Sequence, residues 1–83
     1  MANYATLIRR PWDTGFIPFK RATTYARIQA GLFPTPVKAG RLSCWPAREL
    51  ASVNEALVQG KSDAEIRQLV KDLVSQRTAV EGQ

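Results

Sequence analysis

The sequence contains no histidine and a single cysteine, Cys44, in 83 residues. This small domain therefore cannot be stabilised by an intrachain disulfide or by a histidine-based metal site. The lone thiol has no imidazole to activate it, and the chain has no glycine-rich phosphate loop. We therefore expect no enzymatic activity, no cofactor, no metal site and no small-molecule substrate. Cys44 is expected to be a small buried apolar residue of a strand.

Long apolar runs are also missing. No stretch of about 18 consecutive apolar residues occurs, and residues 1–10 lack the apolar core and cleavage site of a secretory signal. We therefore expect neither membrane insertion nor secretion. A single cysteine is typical of a reducing compartment, and we predict a cytoplasmic protein. At this length there is room for one domain, because one core buries only about 60–65% of the surface that the unfolded chain exposes.

The net charge of +5 is concentrated in one half of the chain. Residues 1–44 carry seven basic side chains and one acidic side chain, a net charge of +6, whereas residues 45–83 carry five basic and six acidic ones, a net charge of −1. A one-sided positive charge favours binding to a phosphate backbone, because each neutralised phosphate releases a condensed counterion. Many small basic proteins bind polyanions without sequence specificity, however. The acidic side chains of the second half are expected to face solvent on amphipathic helices.

Proline and glycine divide the first half into short elements. Pro11 suits the first turn of a short helix with Trp12 and Phe16 on one side, which Gly15 weakens and Pro18 ends.

A three-turn helix is predicted over residues 20–30, because neither glycine nor proline interrupts them and Gly31 follows where a left-handed cap is needed. Tyr25 and Ile28 fall on the side expected to face the core. The opposite, polar side is formed by Lys20, Thr23 and Arg27.

Residues 37–45 predict a two-stranded β-hairpin. Apolar and polar side chains alternate on either side of Gly40, and the prolines before the segment exclude a helix. Two basic residues, Lys38 and Arg41, lie at or near the turn.

Two amphipathic helices are predicted in the second half. Residues 47–59 carry an apolar stripe at helical spacing and end at Gly60. The stripe consists of Leu50, Val53 and Leu57. Ser62 and Glu65 form a capping box that opens a helix over residues 63–75. Residues 1–10 and 76–83 are expected to be flexible tails.

The segment from Lys20 onward contains a series of motifs. Arg21, Thr23 and Tyr25 are followed by Gly-Leu-Phe-Pro-Thr-Pro-Val at residues 31–37, Gly-Arg at residues 40–41 and Trp45. This series resembles the AlpA family of phage and prophage transcriptional regulators, whose hallmark runs roughly Ser-Arg-x-Thr-x-Tyr, Gly-x-Phe-Pro-x-Pro-Val, Gly-Arg and Trp. The resemblance covers residues 20–57. It implies a winged helix-turn-helix related to excisionases and to MerR-type regulators.

The sequence also departs from the family pattern. Lys20 stands where the family has a capping Ser, which implies a displaced or frayed start of the following helix, and Thr24 replaces a Leu. The residues after Pro11 differ from the family's first helix, so that helix is expected to be shortened or rearranged. The helix over residues 63–75 is an extension, whose apolar face either completes the core or pairs with another chain.

These observations together predict an α+β fold, a small winged helix-turn-helix with a two-stranded β-wing and two C-terminal amphipathic helices, in one domain over residues 1–83. Helix 20–30 is expected to enter the major groove of double-stranded DNA, with the wing, residues 37–45, on the backbone or minor groove. The predicted DNA contacts are Lys20, Arg21, Thr23, Arg27, Lys38, Arg41, Arg9 and Arg10. Arg21 and Arg27 are assigned to bases or phosphates. Three aromatic residues are assigned to the core: Tyr25, Phe33 and Trp45.

One such unit presents a small interface, so a homodimer or a DNA-templated oligomer is expected. Two alternatives stay open from the sequence. The first is an excisionase-type factor that binds DNA in the same way and bends it to direct an integrase. The second is a protein-interaction module whose basic half serves only solubility.

Overall fold

The computed structural model describes residues 6–81, together with the side chains of residues 6–77. Within this range the chain forms an α+β fold with four helices and one three-stranded antiparallel sheet. The elements are, in chain order, β1 (Leu7–Arg9), α1 (Pro11–Thr14), α2 (Arg21–Gln29), β2 (Val37–Ala39), β3 (Leu42–Pro46), α3 (Ala47–Val58) and α4 (Asp63–Glu81).

The sheet has β3 at its centre, with β1 and β2 as its edges. The predicted hairpin is present as β2 and β3, in which Lys38 lies opposite Ser43 and the turn contains Gly40 with a φ of 64°. The sheet also has a third strand that was not predicted, because β1 pairs with β3 and sets Ile8 opposite Trp45. This pairing joins residues far apart in sequence, so the local pattern of a three-residue strand does not reveal it.

The first two helices differ in how well they match the predictions. α1 has only four residues and ends at Gly15, whose φ is 80°, so that Phe16 lies beyond the helix instead of sharing a side with Trp12. α2 ends as expected before Gly31, whose φ is 79°. It begins at Arg21, and Lys20 caps it without a side-chain hydrogen bond.

The two later helices begin as predicted. The Ser62 N–H donates to Oε1 of Glu65 at 2.9 Å and the Glu65 N–H donates to Oγ of Ser62 at 3.2 Å, which confirms the capping box. α4 continues to Glu81, past the predicted end at residue 75. The segments predicted as flexible tails, residues 1–10 and 76–83, contain β1 and the end of α4, and residues 1–5 and 82–83 lie outside the described residues.

The core is centred on Trp45 and Phe33, which are almost fully buried. The Trp45 ring meets the rings of Trp12, Tyr25 and Phe33 at centroid distances of 5.8, 6.3 and 6.1 Å, and its Nε1 donates to the carbonyl oxygen of Pro34 at 2.8 Å. Burial of each such side chain stabilises the fold by about 1.5–3 kcal/mol. The predicted core roles of Tyr25, Phe33 and Trp45, and the burial of Cys44, are confirmed.

One acidic residue of the second half does not face solvent as predicted. Glu49, in the first turn of α3, is fully buried. Arg77 of α4 pairs with its carboxylate and offsets the cost of burying the charge. Arg77 also donates from Nη2 to the carbonyl oxygen of Thr35 at 2.7 Å, so α4 contacts the segment that leads into β2.

Candidate nucleic-acid interface

An open groove of about 410 Å³ lies between the β1–α1 junction, α2 and the β2–β3 turn. Four of its lining residues are arginines: Arg9, Arg10, Arg21 and Arg41. The rest of its lining consists of Trp12, Tyr25, Leu42 and Ser43. We call this site the arginine groove. No acidic side chain belongs to its described lining, although Asp13 pairs with Arg10 at its edge, where Nε lies 2.7 Å from Oδ2.

The four arginines reach the groove from three parts of the chain. Arg9 ends β1 and Arg21 begins α2, where its guanidinium carbon lies 5.5 Å from the centroid of the Tyr25 ring. Arg41 lies in the β2–β3 turn. Arg10 turns the chain into α1 with a φ of 51°, and in the part of the chain that is described no other non-glycine residue has a positive φ. The backbone is therefore strained at a residue that contributes charge to the site.

The chemistry of this groove suits phosphate groups. Guanidinium groups present planar pairs of N–H donors that match phosphate oxygens and stay charged at every physiological pH. Four of them around one opening create a positive potential that attracts anions. Partial stacking of Arg21 on Tyr25 restricts its motion, which reduces the entropy lost when a ligand binds.

A second groove, of about 670 Å³, lies between α3 and α4 and carries the opposite charge. Its lining includes three acidic residues, Glu55, Glu65 and Asp72, and one basic residue, Lys61. We call it the acidic groove. A polyanion is therefore attracted to the arginine groove and repelled from the acidic groove.

The exposed side of α2 carries three small side chains, with the longer Gln29 at its C-terminal end. Ala22, Thr23 and Ala26 face solvent, whereas Thr24 is buried and its hydroxyl donates to the carbonyl oxygen of Lys20 at 2.9 Å. At about 100° per residue, Arg21 stands at one border of this exposed arc, and Lys20 and Arg27 stand at the other. Basic residues therefore flank the exposed side of α2.

Four of the eight predicted DNA contacts, Lys20, Thr23, Arg27 and Lys38, do not line the arginine groove. Lys20 and Thr23 are exposed on α2. Lys38 donates from Nζ to Oγ of Ser43 across the hairpin at 3.0 Å. Of the predicted contacts on and beside α2, Arg21 lines the arginine groove together with Arg41, whereas Lys20 and Arg27 do not.

Arg27 has different surroundings from the other predicted contacts. Its guanidinium carbon lies 4.5 Å from the centroid of the Phe19 ring. Its Nε is buried and has no hydrogen-bond partner within the described residues. No role for Phe19 was predicted from the sequence. The only local signal is its position directly before the basic start of α2.

The chain matches no protein-family model, no curated protein and no solved structure. The resemblance to the AlpA family therefore stays a prediction. Within residues 6–81, no helix combines the length and the apolar character that crossing a membrane requires. Among the described side chains, no group of three or more His, Cys, Asp or Glu residues could hold a metal ion.

Proposed function

We propose that this protein binds double-stranded DNA with sequence specificity, as a winged helix-turn-helix regulator of the AlpA type. The observation that best supports the proposal is the convergence of four arginines on the arginine groove, from β1, the β1–α1 junction, α2 and the β2–β3 turn. Contacts of arginine with phosphate supply much of the affinity of DNA-binding proteins and fix their register on the duplex.

In this proposal α2 is the recognition helix. Its small exposed side chains, Ala22, Thr23 and Ala26, allow the helix backbone to approach the base edges in the major groove. Thr23 contacts a thymine methyl group or a phosphate there. The basic residues at the two borders of the helix, Arg21 on one side and Lys20 and Arg27 on the other, contact the phosphates that flank the groove.

The β2–β3 hairpin acts as the wing. Lys38 and Arg41 lie on or beside its turn, and they contact the DNA backbone or the minor groove next to the site of α2. Arg9 and Arg10 extend the same contact surface from the β1–α1 junction. The protein acts in the cytoplasm at promoters or attachment regions of mobile elements, without enzymatic activity.

A single unit of this size presents too small an interface for high specificity, so two copies occupy adjacent half-sites, as a homodimer or as an oligomer assembled on DNA. Sedimentation of the protein with and without its DNA site tests this part. We expect two copies on each site. A single copy on saturated DNA contradicts it.

The proposal is tested by selecting bound sequences from random double-stranded DNA at a stated salt concentration. We expect enrichment of a motif with two half-sites about 10 base pairs apart, or a multiple of that spacing. Retention of DNA without enrichment contradicts sequence specificity. No retention at low salt contradicts DNA binding altogether, and partner binding that ignores salt would favour a protein-interaction module.

A further inference from the structure

Arg27 is held by an aromatic ring instead of by a carboxylate. The face of the Phe19 ring lies 4.5 Å from its guanidinium carbon. Phe19 is itself half-buried and packs against the core cluster that contains Trp45 and Leu50. The stack fixes the plane of the guanidinium at the border of the exposed side of α2.

Two other arginines that pack against neighbouring elements have oxygen partners. Arg77 binds the Glu49 carboxylate, and Arg67 donates from Nε to the carbonyl oxygen of Ala30 at 2.9 Å. The Nε of Arg27, in contrast, is buried with no partner among the described residues. A buried donor without a hydrogen-bond partner destabilises the folded state, and such groups are rare in native proteins. The described residues thus hold Arg27 through the Phe19 ring and offer its Nε no oxygen partner.

We propose that Phe19 is a positioning residue for DNA binding, whose ring holds the Arg27 guanidinium so that its two Nη groups meet a backbone phosphate. This inference rests on the proposed function. A guanidinium already held in one plane loses less freedom when a phosphate binds. The ring also excludes water from one face of the cation, which strengthens its charge-assisted hydrogen bonds to the phosphate.

The salt dependence of DNA binding tests this role. Each phosphate contact contributes about 0.9 to the slope of log affinity against log salt, which is about 3.5-fold in affinity over a fourfold change in salt. We expect Arg27→Ala to reduce the slope by about 0.9. We expect Phe19→Leu to reduce it nearly as much although no charge is removed, and the double variant to lose no more than Arg27→Ala alone.

Two variants control for the loss of the ring. Phe19→Trp keeps an aromatic face under Arg27 and is expected to keep the wild-type slope. Phe16→Leu makes the same chemical change at an exposed phenylalanine that stacks on no arginine in the described part of the chain, and is expected to leave the slope unchanged. A merely structural role of Phe19 lowers the folded fraction equally at every salt concentration and so lowers affinity without changing the slope. Phe19→Met repeats the test with nearly constant volume if Phe19→Leu does not fold.

The outcomes separate this inference from the proposed function. Wild-type protein that binds DNA while Phe19→Leu or Phe19→Met keeps the wild-type slope overturns the positioning role and leaves the function standing. If Arg27→Ala keeps the wild-type salt slope of DNA binding, the positioning role of Phe19 is overturned as well. Wild-type protein that is not retained on DNA at low salt refutes the proposed function, and with it this inference.

Discussion

Arg77 of α4 and Glu49 of α3 form a two-point ion pair, in which Nε lies 2.8 Å from Oε2 and Nη2 lies 2.5 Å from Oε1. The Glu49 side chain is fully buried, and the Arg77 side chain retains 15% exposure. The same Nη2 donates to the carbonyl oxygen of Thr35. The pair therefore ties α4 to α3 and to the segment between α2 and β2.

Removing one partner of this pair is expected to destabilise the protein strongly. Arg77→Ala leaves the Glu49 carboxylate buried without a counter-charge, which typically costs about 3–5 kcal/mol. Urea unfolding of the variant and of wild type measures the change in the free energy of unfolding. Lys71→Ala, an exposed basic residue of the same helix, serves as the control and is expected to cost less than about 0.5 kcal/mol.

The double variant Glu49→Leu, Arg77→Met tests why Arg77→Ala is destabilising: because the ion pair is lost, or because one buried charge is left without a counter-charge. Replacing both charges with apolar side chains leaves no buried charge uncompensated, so we expect it to recover most of the stability that Arg77→Ala loses. An Arg77→Ala variant as stable as Lys71→Ala contradicts the account of this pair.

The capping box of α4 gives a pH-dependent contribution to stability. The hydrogen bond from the Ser62 backbone N–H lowers the pKa of Glu65 below its ordinary value of 4.5, and the Ser62 hydroxyl and the charge of Lys61 lower it further. Because the folded-state pKa is lowered, the stabilisation is present above about pH 4.5 and is lost as the pH falls through the lowered value. Wild type and Glu65→Gln, compared by thermal unfolding, are therefore expected to differ at pH 7, and the difference is expected to shrink as the pH falls below 4.5. A difference that stays constant over this range contradicts the prediction.

The left-handed backbone of Arg10 provides a test that separates strain from charge. Arg10→Gly and Arg10→Ala both remove the guanidinium and its contact with Asp13, but only glycine relieves a positive φ. We expect the glycine variant to be more stable than the alanine variant by about 1 kcal/mol, measured by urea unfolding. Both variants are expected to lose the same DNA affinity. An alanine variant as stable as the glycine variant shows that the backbone is not strained there.

The elements that the sequence predicted well are those with strong local signals. The apolar stripe of α3 and the capping box of α4 are set by residues within a few positions of one another, as is the turn at Gly40 in the β2–β3 hairpin. Helical spacing and turn chemistry act over this same short range. The end of α2 was predictable for the same reason, because Gly31 adopts the left-handed conformation that glycine favours.

The features that the sequence did not predict depend on contacts between distant residues. β1 is a strand because Ile8 lies opposite Trp45, and Glu49 is buried because Arg77 reaches it from 28 residues further along the chain. The arrangement of the candidate site was not predicted either, because it too depends on contacts between distant residues. The basic residues near α2 were identified by charge and helical spacing, but their division between Arg21 on one border and Arg27 on the other depends on where β3 and Phe19 pack.

The most direct test of the central claim is the salt dependence of DNA binding for variants of the arginine groove and of the acidic groove. Arg21→Ala and Arg41→Ala each remove one groove arginine, and Lys61→Ala removes the same charge from the acidic groove. Fluorescence anisotropy with a selected DNA site, from about 50 to 200 mM salt, gives the slope for each protein. We predict that each arginine variant lowers the slope by about one and that Lys61→Ala leaves it unchanged. Equal slopes for all four proteins would contradict the claim that the arginine groove binds the phosphate backbone.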